Sequence, residues 1–194
     1  MSEPANLKVL PTAIPDVKIL EPKRFGDERG FFSETYSRSA MLAAGFDLEF
    51  VQDNHSRSER VGTLRGLHFQ AEPFAQDKLV RCPQGRLLDV AVDIRRGSPT
   101  YGAHVAVELS AENWRQLLVP KGFAHGFVTL EPFTEVFYKV TAPYSAAHDR
   151  GLAYDDPALN IAWPLPPGGA VLSEKDRFHP ALADLPAFFA YPTQ

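Results

Sequence analysis

Cysteine is almost missing from this chain of 194 residues: Cys82 stands alone, so no intrachain disulfide is available and packing must hold the fold. Long apolar runs are missing too. No stretch approaches the roughly 20 apolar residues that span a bilayer, which leaves the 44% hydrophobic content to a core or a subunit interface. There is no basic excess: 20 Lys and Arg against 24 Asp and Glu give a formal charge of -4. A broad nucleic-acid footprint or an anionic membrane partner is therefore not expected, although local basic residues can still meet a small anionic ligand. The opening Met-Ser-Glu-Pro-Ala-Asn has neither the basic nor the apolar region of a signal peptide, which makes the cytoplasm the expected compartment. Nothing in the composition marks a junction, so residues 1–194 read as one domain with a short N-terminal tail and a Pro-rich C-terminal segment.

Short runs rich in valine, phenylalanine and tyrosine, punctuated by Gly, Pro and Asn/Asp, predict an all-β sandwich or barrel with a few short helices. Strands are expected over 13–20, 31–36, 50–55, 63–69, 78–82, 86–93, 101–109, 116–119, 126–130 and 134–140. A helix is expected over 38–44, capped by Ser37 and ended by Gly45. Residues 110–113 suit a turn or a single helical turn, and the prolines beyond Asp156 suit extended loops. Strand alternation puts Tyr138 on the face of Thr134, Val136 and Val140, so its hydroxyl can point into a barrel. The same alternation would separate Arg65 from His68, and Gly66 is where a bulge could bring them together.

Two segments carry a His on a strand beside glycine turns: Gly62-Thr-Leu-Arg-Gly-Leu-His68-Phe-Gln70 and Pro120-Lys-Gly-Phe-Ala-His125-Gly-Phe127. They resemble the two cupin motifs, with Gln70 standing where the metal-binding form has a second His. A divalent site of that type needs clustered imidazoles and a carboxylate. With one donor lost, His68 is better placed to act as a base, no metal is expected, and proton transfer replaces metal chemistry.

A longer ordered set extends this: Phe25-Gly-Asp-Glu-Arg-Gly-Phe-Phe-Ser-Glu34, Val51-Gln-Asp-Asn-His-Ser56, Leu64-Arg-Gly-Leu-His-Phe-Gln70, Lys78-Leu-Val-Arg81, Asp89-Val-Ala-Val-Asp93, Tyr138-Lys139 and Leu172-Ser-Glu-Lys-Asp176. From about Ile14 to Asp176 the chain resembles the deoxythymidine-diphosphate-4-dehydrorhamnose 3,5-epimerase family. Each motif is weak alone, and their order is specific. The resemblance implies a cupin jelly-roll β-barrel, a homodimer, no cofactor and a dTDP-linked 4-keto-6-deoxy sugar inverted at both carbons beside the ketone.

That chemistry needs a base on one face of the sugar, a group to stabilise the enolate oxygen, and an acid on the other face. By resemblance His68 is the base, Asp176 its carboxylate partner, Tyr138 the acid, and Lys78 the group near the C4 oxygen. Arg29, Glu34, Gln52, Asn54, Arg65, His125, Asp149, Lys175 and Tyr144 match positions that contact the nucleotide sugar, with arginines and lysines suited to the diphosphate. His125 is expected to pair with Asp89. Asp149 stands where the family usually has Glu, and Tyr154-Asp-Asp156 where it has Trp-Asn-Asp; packing is expected to absorb the second change. The segment 13–36 is expected to pair with a neighbouring subunit and bring Arg29 to its pocket. Other readings are an epimerase acting at C3 alone, a non-catalytic cupin that binds sugar nucleotides, and a metal-dependent cupin. The last is disfavoured by Gln70.

Overall fold

The computed structural model describes residues 6–192. Its strands, in chain order, are β1 (Leu7–Pro11), β2 (Lys18–Pro22), β3 (Phe25–Asp27), β4 (Gly30–Phe32), β5 (Gln52–Ser58), β6 (Leu64–Gln70), β7 (Lys78–Gln84) and β8 (Arg86–Asp93). They continue as β9 (Arg95–Arg96), β10 (His104–Ser110), β11 (Gln116–Val119), β12 (Phe123–Thr129), β13 (Thr134–Val140), β14 (Asp149–Gly151) and β15 (Phe189–Ala190). One α-helix, α1 (Arg38–Ala43), lies between β4 and β5, and two single 3-10 turns, at Lys175–Arg177 and Leu182–Asp184, punctuate the C-terminal tail.

Two antiparallel sheets make the jelly-roll barrel. One has the order β1-β2-β11-β7-β13-β5 and the other β10-β8-β12-β6-β14. Alternation along the strands sends one set of side chains between the sheets. Val80 and Cys82 of β7, Leu117 and Val119 of β11, and Val136 of β13 pack there with Leu87 and Ala91 of β8, Val105 and Val107 of β10, and Phe127 of β12. Each fully buried aliphatic side chain of this kind contributes about 1.5–3 kcal/mol.

The outer faces are covered as well. Met41 of α1 joins Leu20, Leu79 and Leu118 on the outside of the six-stranded sheet, with Tyr36, Phe46, Leu48 and Phe50 packed around them. On the five-stranded sheet the tail supplies Leu159, Trp163, Leu182, Leu185, Phe188 and Phe189 against Leu67, Phe69, Val90 and Val92. Covered on both faces, β12 is buried at all seven positions, which is why it reads as a continuous apolar run and not as an alternating one.

The predicted strands 86–93, 116–119 and 134–140 match β8, β11 and β13, and α1 has its Ser37 cap accepting from the Ala40 amide. The expected strand 13–20 is corrected: residues 13–17 form a turn closed by Val17 N–H donating to Ile14 C=O, and the strands on either side are β1 and β2. The expected strand 31–36 shrinks to β4, because Thr35 and Ser33 are bound instead by the side chains of Gln116 and Trp114. Since β2 is flanked by both β1 and β11, it is not the free edge that the pairing of segment 13–36 required. The separate β3–β4 hairpin is the part of that segment left unpaired with either large sheet.

Candidate active site

The mouth of the barrel is shaped by a bulge at Gly66. Across β6 and β12, His68 pairs with His125 and Arg65 with Phe127, so three steps on β6 match two on β12. The extra residue turns Arg65 and His68 to the same cavity, where both line the wall with Lys78, His125, Tyr138 and Asp176. Only glycine suits this point. Gly66 has φ 131°, and a Cβ there would lie 2.5 Å from the Cα of Gly126.

His68 projects from β6, and its Nε2 lies 2.5 Å from Asp176 Oδ1. That leaves Nδ1 as the nitrogen free to take a proton, with the Nε2 proton donated to the carboxylate. Asp176 is buried on the 3-10 turn at Lys175–Arg177, and its Oδ2 accepts from Ser173 Oγ at 2.8 Å. Burial alone would raise the Asp176 carboxyl, but the His68 hydrogen bond and charge, helped by Ser173 and His179, hold it below its usual value. The carboxylate therefore stays ionised and fixes the imidazole.

Tyr138 and Lys78 come from the facing sheet. Tyr138 projects inward from β13 as its parity requires, and burial raises its hydroxyl above the usual phenol range, opposed by Arg65 and reinforced by Asp149. It remains a proton donor at neutral pH. Lys78, 9% exposed, donates to the His68 carbonyl at 3.3 Å. Desolvation pushes its ammonium down to about 8, although Asp89 and Asp149 pull it up and Lys175 adds to the fall. His125 Nε2 lies 2.7 Å from buried Asp89 Oδ1, the expected second imidazole-carboxylate couple.

A second lobe of the cavity shares His68, Lys78 and Tyr138 with the first and adds Gln52, Asn54, Tyr144, Asp149 and Lys175. Gln52 Nε2 donates to Asn54 Oδ1 at 2.8 Å along β5. Asp149 on β14 pairs with Lys175 and accepts from the Tyr144 hydroxyl at 3.2 Å. Gln70, the residue in place of a ligand His, is buried and holds the loop carrying Tyr144: it donates to the Phe74 and Pro143 carbonyls and accepts from the Ser145 amide. Around the Tyr154-Asp-Asp156 change, Asp156 accepts from the amides of Ala158 and Leu182, the Tyr154 carbonyl accepts from Trp163 Nε1, and neither residue lines the cavity.

Two expected contacts are not brought to the cavity. Arg29 is 85% exposed in its side chain and paired only with Asp27. Glu34 lies outside the six-stranded sheet, lining a cleft with Met41, Leu79 and Gln116. The reason is topological, since the β3–β4 hairpin and the segment after it run over the barrel's outer surface. Sequence reading did not single out Ser173, which anchors Asp176, or His179, whose Nε2 lies 3.6 Å from Asp176 Oδ1. Ser173 was legible as a hydroxyl three residues before a carboxylate. His179 had no sequence signal of its own.

Comparisons agree with this geometry along nearly the whole chain. Residues 11–184 match the family model described as dTDP-4-dehydrorhamnose 3,5-epimerase. The dTDP-4-dehydrorhamnose 3,5-epimerase of Sinorhizobium fredii is 58% identical over 179 residues, covering 92% of this chain and 91% of the relative. The solved epimerase of Bacillus anthracis, with TDP and pyrophosphate bound, is 51% identical with a TM-score of 0.87, covering 90% of this chain and 99% of that one. The Legionella pneumophila 3,5-epimerase, in complex with dTDP-4-keto-L-rhamnose, is 44% identical with a TM-score of 0.91, covering 96% and 100%. With an imidazole, its paired carboxylate and a facing tyrosine in one cavity, and with this degree of likeness, the chain belongs to the dTDP-4-dehydrorhamnose 3,5-epimerase family of isomerases.

Proposed function

We propose that this protein inverts C3 and C5 of dTDP-4-dehydro-6-deoxy-D-glucose to give dTDP-4-dehydro-L-rhamnose, through proton removal and return beside the C4 ketone. The observation that carries the reading is the placement of His68 on one sheet, paired with Asp176 from the tail's 3-10 turn, and of Tyr138 with Lys78 on the other sheet, all lining one cavity. His68 Nδ1 takes the proton from the carbon next to the ketone, and the electrons move to the C4 oxygen as an enolate. Lys78 stabilises that oxygen. Asp176 holds the imidazole's tautomer and balances the imidazolium. Tyr138 returns a proton from the opposite face, and each such group is worth about 10²- to 10⁴-fold. Gln52, Asn54, Arg65, His125, Tyr144, Asp149 and Lys175 hold the sugar and its diphosphate, with Lys175 and Arg65 supplying charge. The arrangement supports double inversion without demanding it, because one base and one acid serve either carbon in turn.

Assembly completes the site. Arg29 and Glu34 reach a partner's cavity in a homodimer, carried by the β3–β4 hairpin. Phe31 and Phe32 on that hairpin, 54% and 66% exposed, supply its apolar motive. The whole chain acts as one domain in the cytoplasm, and among the described residues no helix is long and apolar enough to cross a membrane.

The test is incubation with the 4-keto-6-deoxyglucose nucleotide in deuterated water, followed by NMR. Deuterium at C3 and C5 with the L-configuration is expected. Deuterium at C3 alone would make the protein a 3-epimerase, and none at either carbon would make it a binding module. In Tyr138→Phe, wash-in at C5 should outlast net inversion, because removal by His68 survives while delivery from the other face does not. Equal loss of both would take the acid role from Tyr138.

A further inference from the structure

His179 is a buried histidine that the reaction does not use. Its side chain is 10% exposed, packed so tightly on β14 that a Cβ at Gly151 would lie 2.3 Å from the ring. Its Nε2 is buried with no hydrogen-bond partner. The nearest acceptor is Asp176 Oδ1 at 3.6 Å, too far to count. A buried polar atom left unpaired is costly, and this one is aimed at the carboxylate that already serves His68. The two rings meet edge to face at 5.4 Å between centroids.

Two imidazole nitrogens and one carboxylate oxygen thus surround a common point, with the three donor atoms all within 4.8 Å of one another. In a tetrahedral zinc site, with ligand bonds of 2.0 to 2.2 Å, donors lie about 3.3 Å apart. The His179–Asp176 separation is already close to that, and the His68–Asp176 separation of 2.5 Å must open by less than one bond length. Ser173 holds the other carboxylate oxygen, the kind of outer partner that orients a metal ligand. The nearby Lys175, which would repel a cation, is neutralised by Asp149. Imidazole with carboxylate favours zinc over calcium or magnesium.

We propose that His68, Asp176 and His179 form a zinc-binding site beside the catalytic cavity, and that zinc bound there inhibits the enzyme. Zn²⁺ bonds to His68 Nε2 in place of its proton, which leaves to solvent. The hydrogen bond to Asp176 is exchanged for a bond from the carboxylate to the metal. Nδ1, with a dication on the other ring nitrogen, is then a poor base. The metal sits on the side of the imidazole turned away from Nδ1, so it lowers kcat more than it raises KM. Zinc binding does not depend on the proposed reaction, and only this kinetic effect rests on it.

The deciding measurement is a zinc titration of the ¹⁵N-labelled full chain, free of substrate, followed through its imidazole ring resonances. The signals of His68 and His179 should move together while those of His55, His104 and His148 stay. Shifts confined to the latter three would mean adventitious zinc only and would overturn the site. In His179→Asn the zinc affinity should fall about 100-fold, whatever turnover the variant keeps, as even an outer partner of a ligand is worth about 10- to 100-fold. Unchanged zinc inhibition in that variant would also refute the proposal. Should His179→Asn fail to fold, the wild-type spectra decide alone.

Discussion

Lys78 illustrates how a single residue sets function against stability. Burial drives its ammonium down to about 8 from an ordinary 10.5, so the folded chain holds this proton less tightly than the unfolded chain does. Below pH 8 both states carry the charge, and the folded state bears a cost of up to about 3 kcal/mol. Between pH 8 and 10.5 the unfolded chain binds the extra proton, and this cost fades as pH rises. Lys78→Met should therefore melt higher than wild type at pH 7, with the gap closing as pH climbs through that window; a gap that does not change with pH would mean the ammonium is not penalised. In the proposed mechanism only the ammonium of Lys78 serves the enolate oxygen, so kcat/KM should fall along an alkaline limb as pH rises through about 8. Lys78→Met should lose about 10²-fold or more of the rate together with that limb. A limb that persists in the variant would belong to another group.

At the level of elements, strand β6 does the most to assemble the site, and it does so by an irregularity. Gly66 lets three residues match two on β12, so Arg65 and His68 face one cavity. An alanine there would need a residue with φ 131° and a Cβ 2.5 Å from Gly126 Cα and 2.9 Å from the His125 carbonyl, both of them backbone. Gly66→Ala should cost about 3 kcal/mol or more, seen as a lower denaturant midpoint; wild-type stability would show that the bulge does not need glycine. The sequence made this bulge legible because alternation failed where two motif residues had to meet. It made β8, β11 and β13 legible through their apolar runs and turn residues. The start of β12 was missed, since Phe123 packs between the sheets, Ala124 lies under the C-terminal tail and His125 faces the cavity, so all three are buried and show no alternation. Gln70 was legible as a lost metal donor, but its grip on the Pro143 carbonyl and the Ser145 amide depends on a loop more than seventy residues away. No local pattern encodes that distance. His179 lies only three residues after Asp176; what the sequence hid is its packing against Gly151 of β14, which only the folded tail brings about.

For the whole molecule, much of both sheets is covered within the chain, while the β3–β4 hairpin projects. Phe25, Phe31 and Phe32 stand exposed on it, and Arg24 lies over the edge-to-face pair of Phe31 and Trp114. The outer face of the six-stranded sheet carries a cleft lined by Asp53, Arg81, Phe137 and Lys139, with Tyr138 and Asn54 at its inner end. A hairpin that is apolar along its strands and bears Arg29 at its turn suits a neighbour's surface, since on its own chain Arg29 pairs with Asp27 of the same turn. A charge among those phenylalanines should therefore act on assembly and on substrate binding at once. Phe32→Asp is expected to shift the protein toward monomer in sedimentation at micromolar concentration and to raise KM about tenfold or more, since a buried aromatic anchor is worth about 2 kcal/mol. Its His68–Asp176 pair should stay intact, because it lies in the barrel cavity away from the hairpin, and each barrel should keep its fold, because Phe32 is exposed. If Phe32→Asp is monomeric with an unchanged KM, the partner contributes nothing to the pocket, and Arg29 and Glu34 must be removed from the binding set.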